Sequence, residues 1–243
     1  MITERDIQQA TMYIDGVDIY NVGALVEGFK VSGTAIENTA YQGVDSTNFN
    51  VLSTVRGMRT ITVTLFYKGK TKRELALKKT KIDNALGAGK IDLALPDGFK
   101  YFAFLTGVGE ESVLGVEGQD VIALSTYTLK GIRHDDLETV VNLRPGATFQ
   151  VKSLAPLTDC KISFTAGSSV SNLTIGGVTF DSLAANDDVV IDGINKRLLK
   201  NGAPFTSGVS FIRFPKLVPG ANIITTNNPY YTVYLTVEYY PIY

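Results

Sequence analysis

The chain has 243 residues, of which 44% are hydrophobic and 19% are charged, and its formal net charge at pH 7 is -1. This composition is too apolar for a disordered chain, and the balance of charge gives no overall reason to expect nucleic acid or an anionic membrane as a partner. The length allows one large or two modest domains. The 23 glycines and 12 tyrosines favour β structure with many turns.

The sequence shows no targeting segment and no membrane span. Residues 1–6 lack a basic stretch followed by an apolar one, so we expect no secretory signal. No apolar run approaches the roughly 18 to 20 residues that cross a bilayer. The single cysteine, Cys160, cannot form an internal disulfide and is predicted to be a small core residue. We therefore expect a soluble protein that is made in a cytoplasm and does not insert into membranes.

The first third of the chain has the pattern of β-strands. The pattern is clearest from Thr60 to Tyr67, where apolar side chains alternate with threonines. Asn38 to Asn48 is polar and rich in turn residues, which predicts an exposed loop. The strands predicted here are Met12 to Tyr20 with a break at Asp15-Gly16, Phe29 to Gly33, Phe49 to Val55, and Thr60 to Tyr67.

One amphipathic helix is predicted at about residues 71–87. Thr71 and Glu74 have the spacing of a capping box, in which the Thr71 hydroxyl accepts a hydrogen bond from the Glu74 N–H and the Glu74 carboxylate accepts one from the Thr71 N–H. The helix has an apolar face and ends at glycines. The residues concerned are Leu75, Ile82 and Leu86 on the face, with Ala85 beside them, and Gly87 and Gly89 at the end.

A domain boundary is predicted near Gly131 to Asp136, where strand alternation stops and charges cluster. It separates residues 1–134, a β domain with one helix, from residues 135–243, an all-β domain. The final strand, Tyr230 to Tyr240, should be the longest and should point Val233, Leu235 and Val237 to one side. Other predicted strands are Ile91 to Leu95, Lys100 to Thr106, Val121 to Lys130, Thr139 to Leu143, Cys160 to Thr165, Asn172 to Ile175, Asp188 to Asp192, Lys196 to Lys200, Val209 to Phe214, and Ala221 to Thr225.

The residues that usually carry catalysis are scarce. His134 is the only histidine, which excludes a histidine-based triad and a multi-histidine metal site, and its charged neighbours favour a solvated linker. Asp181, Asp187, Asp188 and Asp192 are the densest carboxylates, but their spacing is typical of turns rather than of a calcium loop. We predict no catalytic residue, no metal site and no cofactor site.

A basic segment lies around the predicted helix. Glu74 is the only acidic residue among its cations in the sequence, so positive potential is concentrated on one strand and one helix. Either this is a solvated helix face or it is a subunit interface or a surface facing a polyanion. The residues are Arg56, Arg59, Lys68, Lys70, Lys72, Arg73, Lys78, Lys79 and Lys81.

A set of tyrosines lies on the outer face of the predicted final strand. Tyr230, Tyr234 and Tyr240 are either cross-strand packing residues or contacts to a protein partner or a sugar. The chain has no tryptophan, which argues against sugar stacking.

The order of elements and a few short motifs characterise the second half of the chain. A β domain with one helix is followed by an all-β domain that ends in Phe214-Pro-x-Leu217-x-Pro-Gly-x-Asn222 and a final strand. Earlier in the all-β domain come Val190 to Asp192, the basic strand Lys196 to Lys200, and Asn201-Gly202. In this order of elements and in these motifs, the whole chain resembles the distal tail protein (Dit) family of long-flexible-tailed (siphovirus) bacteriophages or prophages.

The resemblance implies a structural virion protein and no enzyme. The first domain, a β-barrel or sandwich, would form a hexameric ring that continues the tail tube, with DNA passing through it. The second, a galectin-like β-sandwich, would contact tail-tip, baseplate or receptor-binding proteins. Assembly would take place in the host bacterial cytoplasm, and the mature location would be the distal tail of the virion.

Two other functions stay open. A carbohydrate-binding module contacting cell-wall polysaccharide is the alternative, although galectin-type sites use a tryptophan that this chain lacks and a histidine that residues 135–243 lack. A hydrolase with paired carboxylates comes third, without a sequence feature that favours it.

Overall fold

The computed structural model describes residues 11–33, 36–42, 49–109, 111–117, 120–231 and 233–243. Residues 1–6, where no secretory signal is expected, lie outside this part of the chain. Within the described residues, the fold is mainly β with one α-helix, as predicted. It divides into two compact units, Met1–Arg133 and His134–Tyr243. Among the described residues, none of the helices has the length and apolar character needed to span a bilayer.

The described residues of the first unit form antiparallel strands, one short 3-10 helix and one α-helix. The 3-10 helix, Ile19–Val22, follows β2, and helix α1, Lys72–Leu86, follows β6. The strands are β1 (Tyr13–Ile14), β2 (Val17–Asp18), β3 (Ala24–Val31), β4 (Ile36–Gln42), β5 (Phe49–Arg56), β6 (Arg59–Gly69), β7 (Ile91–Ala94), β8 (Lys100–Val108), β9 (Ser112–Glu117) and β10 (Asp120–His134).

The main sheet of this unit curls back towards its own starting edge. Its strand order is β2-β1-β7-β8-β10-β6-β3, with β9 paired to β10, while β4 and β5 form a separate hairpin. Strands β2 and β3 are at opposite ends of this order, yet only residues 19–23 separate them. Six Cα-to-Cα steps reach at most roughly 22 Å, whereas six strand spacings in a flat sheet would separate these edges by roughly 29 Å. The sheet must therefore curve, which makes it barrel-like.

The inward face of this sheet forms the core with helix α1. On β6, Ile61, Val63, Leu65 and Tyr67 are buried, as the alternation predicts. Helix α1 contacts β6 and the 3-10 helix. It buries its predicted apolar face, Leu75, Ile82 and Leu86, against them.

The second unit contains no helix within its described residues. Its strands are β11 (Glu138–Leu143), β12 (Thr148–Val151), β13 (Thr158–Thr165), β14 (Val170–Ile175), β15 (Val178–Leu183), β16 (Asp188–Asp192), β17 (Arg197–Lys200), β18 (Ala203–Pro204), β19 (Val209–Ser210), β20 (Lys216–Leu217), β21 (Gly220–Ile223) and β22 (Leu235–Tyr239).

These strands form a β-sandwich around a second core. The larger sheet has the order β11-β22-β13-β16-β17-β18, with β20 paired to β13. Sheets β14-β15-β19 and β12-β21 supply the other side of the core. Phe164 of β13 meets Phe180 of β15 edge to face, with ring centroids 6.1 Å apart, so the two layers interdigitate.

Two predicted turns set the hairpins of this unit. Gly176 and Gly177 join β14 to β15 with φ angles of 58° and 82°. Asn201 and Gly202 join β17 to β18 with φ angles of 51° and 78°. Two successive positive φ angles define the type I′ turn, whose twist matches the strands that it connects.

The predicted loop at Asn38 to Asn48 is wrong over its first part. Residues 38–42 belong to strand β4, which pairs with β5 in a hairpin, and residues 43–48 lie outside the described chain. Polar side chains do not prevent a strand when the partner strand follows directly, because the ladder satisfies the backbone groups of both.

The final strand is shorter than predicted. It begins at Leu235 rather than Tyr230, and the longest strand of the described chain is β10, Asp120–His134. A turn competes with the strand, since Asn228 accepts hydrogen bonds from the N–H groups of Tyr230 and Tyr231. The inward alternation is confirmed, because Val233, Leu235 and Val237 are buried.

Two predictions near other strand ends are also wrong. The predicted strand Val209 to Phe214 stops at Ser210, ahead of Pro215, which lacks an N–H for a ladder. His134 is buried rather than solvated, and it lies at the end of β10 and forms an isolated bridge with Ile242. Strands β9, β12, β15, β18 and β20 were not predicted from the sequence.

Candidate interaction surfaces

Helix α1 begins where its sequence predicts. Thr71 is extended, and its Oγ1 accepts a hydrogen bond from the Glu74 N–H at 3.1 Å. The second half of the predicted capping box is wrong, because Glu74 Oε2 accepts from the N–H of Lys70 at 2.9 Å instead of from Thr71. Its Oε1 pairs with Lys78 Nζ at 2.9 Å. The Lys78 ammonium and the Lys70 N–H hold the pKa of Glu74 below its usual value.

Glu74 is not the only carboxylate that forms ion pairs with the basic segment. Lys79 Nζ lies 2.8 Å from Asp83 Oδ2, and Lys68 Nζ lies 3.5 Å from Asp120 Oδ2. Lys78 Nζ also donates to the backbone oxygen of Lys68 at 2.7 Å. The expectation that Glu74 alone balances these cations is therefore wrong. Asp83, one helical turn after Lys79, and Asp120 on β10 also pair with them.

Three cations of the segment stay free on the solvent side of helix α1. Lys72, Arg73 and Lys81 are exposed and make no ion pair within the described residues. Leu77 lies one turn from Arg73 and from Lys81, and 57% of its surface is exposed. The structure thus separates the predicted set into locally paired lysines, Lys78 and Lys79, and a free cationic face with an apolar centre.

Of the remaining members of the predicted set, Lys70 is exposed between β6 and helix α1, and the two arginines lie on strands. Arg59 begins β6 and is half-buried, and its Nε is buried without a hydrogen-bond partner in the described part of the chain. Arg56 ends β5, and its side chain is outside what the structure describes.

A series of hydrogen-bonded side chains, which the sequence analysis did not predict, joins helix α1 to the sheet. The Tyr127 hydroxyl lies 2.7 Å from Asp83 Oδ1 and 2.7 Å from the Tyr67 hydroxyl. Because a carboxylate only accepts, Tyr127 donates to Asp83, and Tyr67 must then donate to Tyr127. Burial raises the pKa of both tyrosines far above the ordinary value, so both stay protonated.

The three tyrosines predicted on one strand face do not share a strand. Tyr230 lies in the turn before β22 and is 93% exposed. Tyr234 also precedes β22, and its hydroxyl accepts from Arg144 Nη2 at 3.0 Å. Tyr240 follows β22 and meets His134 edge to face at 5.3 Å. They form no continuous aromatic platform along β22.

The carboxylates of the second unit act in turns. Asp192 Oδ1 accepts from the Asn195 N–H at 3.0 Å, and its Oδ2 accepts from Asn195 Nδ2 at 2.8 Å and Arg197 Nε at 3.0 Å. Asp187 accepts from the Ala184 N–H and from the Asn201 amide. Within the described ranges, no group of three or more His, Cys, Asp or Glu side chains is placed to hold a metal ion.

Cys160 and His134 lie in structural positions. Cys160 is fully buried in the second core, and its Sγ contacts the Pro215 oxygen at 3.5 Å. Burial raises the pKa of this thiol to about 12, which leaves almost no thiolate at neutral pH. His134 Nδ1 lies 2.8 Å from the Asp135 backbone oxygen.

The solved structures similar to this chain include phage hub and baseplate proteins. The SPP1 Dit protein (gp 19.1), described as a hub of the adsorption apparatus in phages that infect Gram-positive hosts, matches over 96% of this chain and 99% of its own, with a TM-score of 0.66 and 13% identity. A chain of the phage p2 baseplate in its activated conformation with Sr covers 94% and 97%, with a TM-score of 0.55 and 10% identity.

A second structure of the phage p2 baseplate, with Ca, agrees. It covers 96% of this chain and 98% of its own, with a TM-score of 0.54 and 10% identity. No protein-family model and no curated protein matches the chain. Across both units and nearly its whole length, the chain therefore has the fold of the phage Dit hub proteins that its sequence resembles.

Proposed function

We propose that this chain is a structural hub at the distal end of a bacteriophage tail, where a ring of copies, six by analogy with the family, joins the tail tube to the tail tip or baseplate. The observation that carries the proposal is the match to the SPP1 Dit protein across 96% of this chain and 99% of that one. Both units are matched together and in order, so a shared single domain does not account for it. The resulting location is the virion tail, after assembly in the host cytoplasm.

In this proposal, residues 1–134 form the ring. A closed ring needs a heterologous interface, in which two different surfaces of one copy meet those of its neighbours. The free face of helix α1 is one candidate surface, because Lys72, Arg73 and Lys81 have no internal partner in the described chain while Lys78 and Lys79 do. It would face either a neighbouring copy or DNA in the lumen.

Residues 135–243 form the peripheral domain, which docks tail-tip, baseplate or receptor-binding proteins. Its β-sandwich has its own core, so it can present partner surfaces without contributing to the ring. The protein works in this role by assembly and surface complementarity, and we expect no catalytic activity from it.

Light scattering on the purified chain, alone and mixed with the tail proteins encoded beside it, tests the ring. We expect a hexamer in at least one of these conditions. A strict monomer in all of them would contradict the ring.

Charge reversal tests the helix face separately. Lys72→Glu, Arg73→Glu and Lys81→Glu should each weaken the ring or the infectivity of assembled tails. Lys152→Glu in the second unit is the charge-matched control, because Lys152 is exposed and lies outside helix α1. Loss of the ring assigns the face to subunit contact. Intact rings that release or fail to conduct DNA assign it to the lumen, and intact, infectious tails would count against both roles.

A further inference from the structure

The segment that follows β19 carries the most exposed aliphatic side chain of the second unit's described residues. Ile212 is fully exposed, and Phe211 and Arg213 beside it are exposed too. These residues lie outside any strand, so their exposure is not the outward half of a strand alternation. A large apolar side chain held entirely in water contributes nothing to the fold.

The base of this segment is firmly held. The Phe211 and Phe214 rings lie 5.0 Å apart, and Pro215 is buried, with its carbonyl against the Cys160 thiol. Gly193 lies directly beneath, where a Cβ would come within 3.4 Å of Phe214 Cβ and 2.6 Å of the Cys160 oxygen. A tip on such a base loses little conformational entropy when it binds a partner.

A shallow cleft of about 340 Å³ adjoins the tip. Its lining includes Ile212 and Ile223, two exposed aliphatic residues from different segments, and the backbone of the Gly176-Gly177 turn. The apolar tip and the cleft together offer both a side chain to insert and a groove to receive one.

The border of this surface is positive. Arg213 is exposed and makes no ion pair within the described residues. Lys196 and Lys216 share the single carboxylate of Asp159, at 2.8 and 3.0 Å. Three cations against one carboxylate leave a local charge of +2. Charge complementarity therefore favours a partner that carries carboxylates.

We infer that Phe211, Ile212 and Arg213 form a docking anchor for another tail protein, one that offers an apolar pocket bordered by Asp or Glu side chains. This rests on the proposed function and specifies which surface of the peripheral domain meets the partner. A polysaccharide does not fit the surface as well, because a fully exposed isoleucine gains little from sugar hydroxyls while it gains much from a desolvated protein pocket.

The test uses the full chain and, as probes, the products of the tail genes on either side of its own, each purified singly and measured by biolayer interferometry. We expect one product to bind the wild type. Ile212→Asp should weaken that binding by at least about tenfold. Val141→Asp is the matched control, because Val141 is 60% exposed on β11 of the same unit, and it should change binding by less than about twofold.

Arg213→Glu should lower the rate of association with the partner. At about 0.5 M salt this difference from the wild type should become smaller, because the salt screens the electrostatic attraction between the two proteins. Failure of every product to bind, or an Ile212→Asp variant that binds like the control, would overturn the inference. So would binding only between copies of this chain. Light scattering on the same samples separates failure of the docking anchor from failure of the proposed function. Rings without docking would contradict only the anchor, and docking without rings would contradict only the ring.

Discussion

The residues that fasten helix α1 to the sheet form a directed chain of hydrogen bonds. Tyr67 donates to Tyr127, Tyr127 donates to Asp83, and Lys79 pairs with the other oxygen of Asp83. The Tyr127 hydroxyl makes two of these hydrogen bonds, whereas the Tyr67 hydroxyl makes one. The sequence offers no sign of this chain, because it depends on the register that sets β6 against β10, about 60 residues apart along the chain.

Removing the middle hydroxyl should cost more than removing the outer one. Tyr127→Phe breaks two hydrogen bonds, so we expect the free energy of unfolding to fall by about 1.5 to 3 kcal/mol. Tyr67→Phe breaks only one and leaves the bond from Tyr127 to Asp83, so about 0.5 to 1.5 kcal/mol is expected. Urea unfolding of both variants measures this, and equal losses would contradict the middle position of Tyr127 between Tyr67 and Asp83.

Asp192 makes the second unit sensitive to acid. Burial tends to raise the pKa of this carboxyl, but the hydrogen bonds from Asn195 and the Arg197 guanidinium outweigh it, so the pKa lies below its usual value. A lowered folded-state pKa adds stability above the unfolded value of about 3.9, and that stability is lost as pH falls through the folded-state pKa.

The wild type should therefore lose stability below about pH 4, where the unfolded state takes up protons more readily than the folded state. Asp192→Asn should be less stable than the wild type at pH 7, and the gap between them should narrow as the pH approaches 3, roughly. Urea unfolding from pH 7 down to acid measures the gap. A gap that does not change with pH would mean that the Asp192 charge has no part in stability.

Elements were predicted best where a local signal fixes an end. Thr71 fixes the start of helix α1, and the Gly176-Gly177 and Asn201-Gly202 turns fix two hairpins. The final strand was predicted too long because alternation continues through Tyr230 while the Asn228 turn holds the backbone away from the ladder. Alternation reports which way side chains point, but pairing depends on a partner strand from elsewhere in the chain.

The cap of helix α1 gives a test at the scale of one element. Thr71→Ala should lower the free energy of unfolding of the first unit by about 1 kcal/mol, because the Glu74 N–H loses its acceptor. Thr80→Ala is the control, since the Thr80 hydroxyl bonds only the Ala76 carbonyl in the same helix and alanine is the better helix former.

In thermal unfolding, Thr71→Ala should lower the midpoint temperature, whereas Thr80→Ala should leave it unchanged or raise it. A Thr71→Ala variant as stable as Thr80→Ala would show that tertiary packing alone holds the first turn of the helix.

At the scale of the whole molecule, the chain carries two separate cores. One gathers buried residues from the sheet and helix of the first unit, and the other gathers those of the β-sandwich. Composition and length allowed two domains, and the order of elements predicted the Dit fold that the solved structures confirm. Ring formation and docking involve other molecules, so a single chain's pattern leaves them as proposals.

Separate cores predict separate folding. A fragment of residues 134–243 should fold alone and unfold cooperatively, because every residue of its hydrophobic core lies within it. The bridge between His134 and Ile242 also lies within the fragment. Calorimetry should give the fragment the midpoint of one of two transitions of the full chain. A fragment that stays unfolded would show that the first unit supplies part of its stability.

The buried thiol of Cys160 makes the native chain a clean background for site-directed chemistry. It is the only cysteine, fully enclosed, with its pKa raised to about 12, so maleimide reagents at neutral pH should pass it by while the chain is folded. A cysteine introduced at Leu77 or Ile212 would then be the one site that takes a fluorophore or spin label. Distances between copies in an assembled tail could be measured from such labels without first removing a native residue.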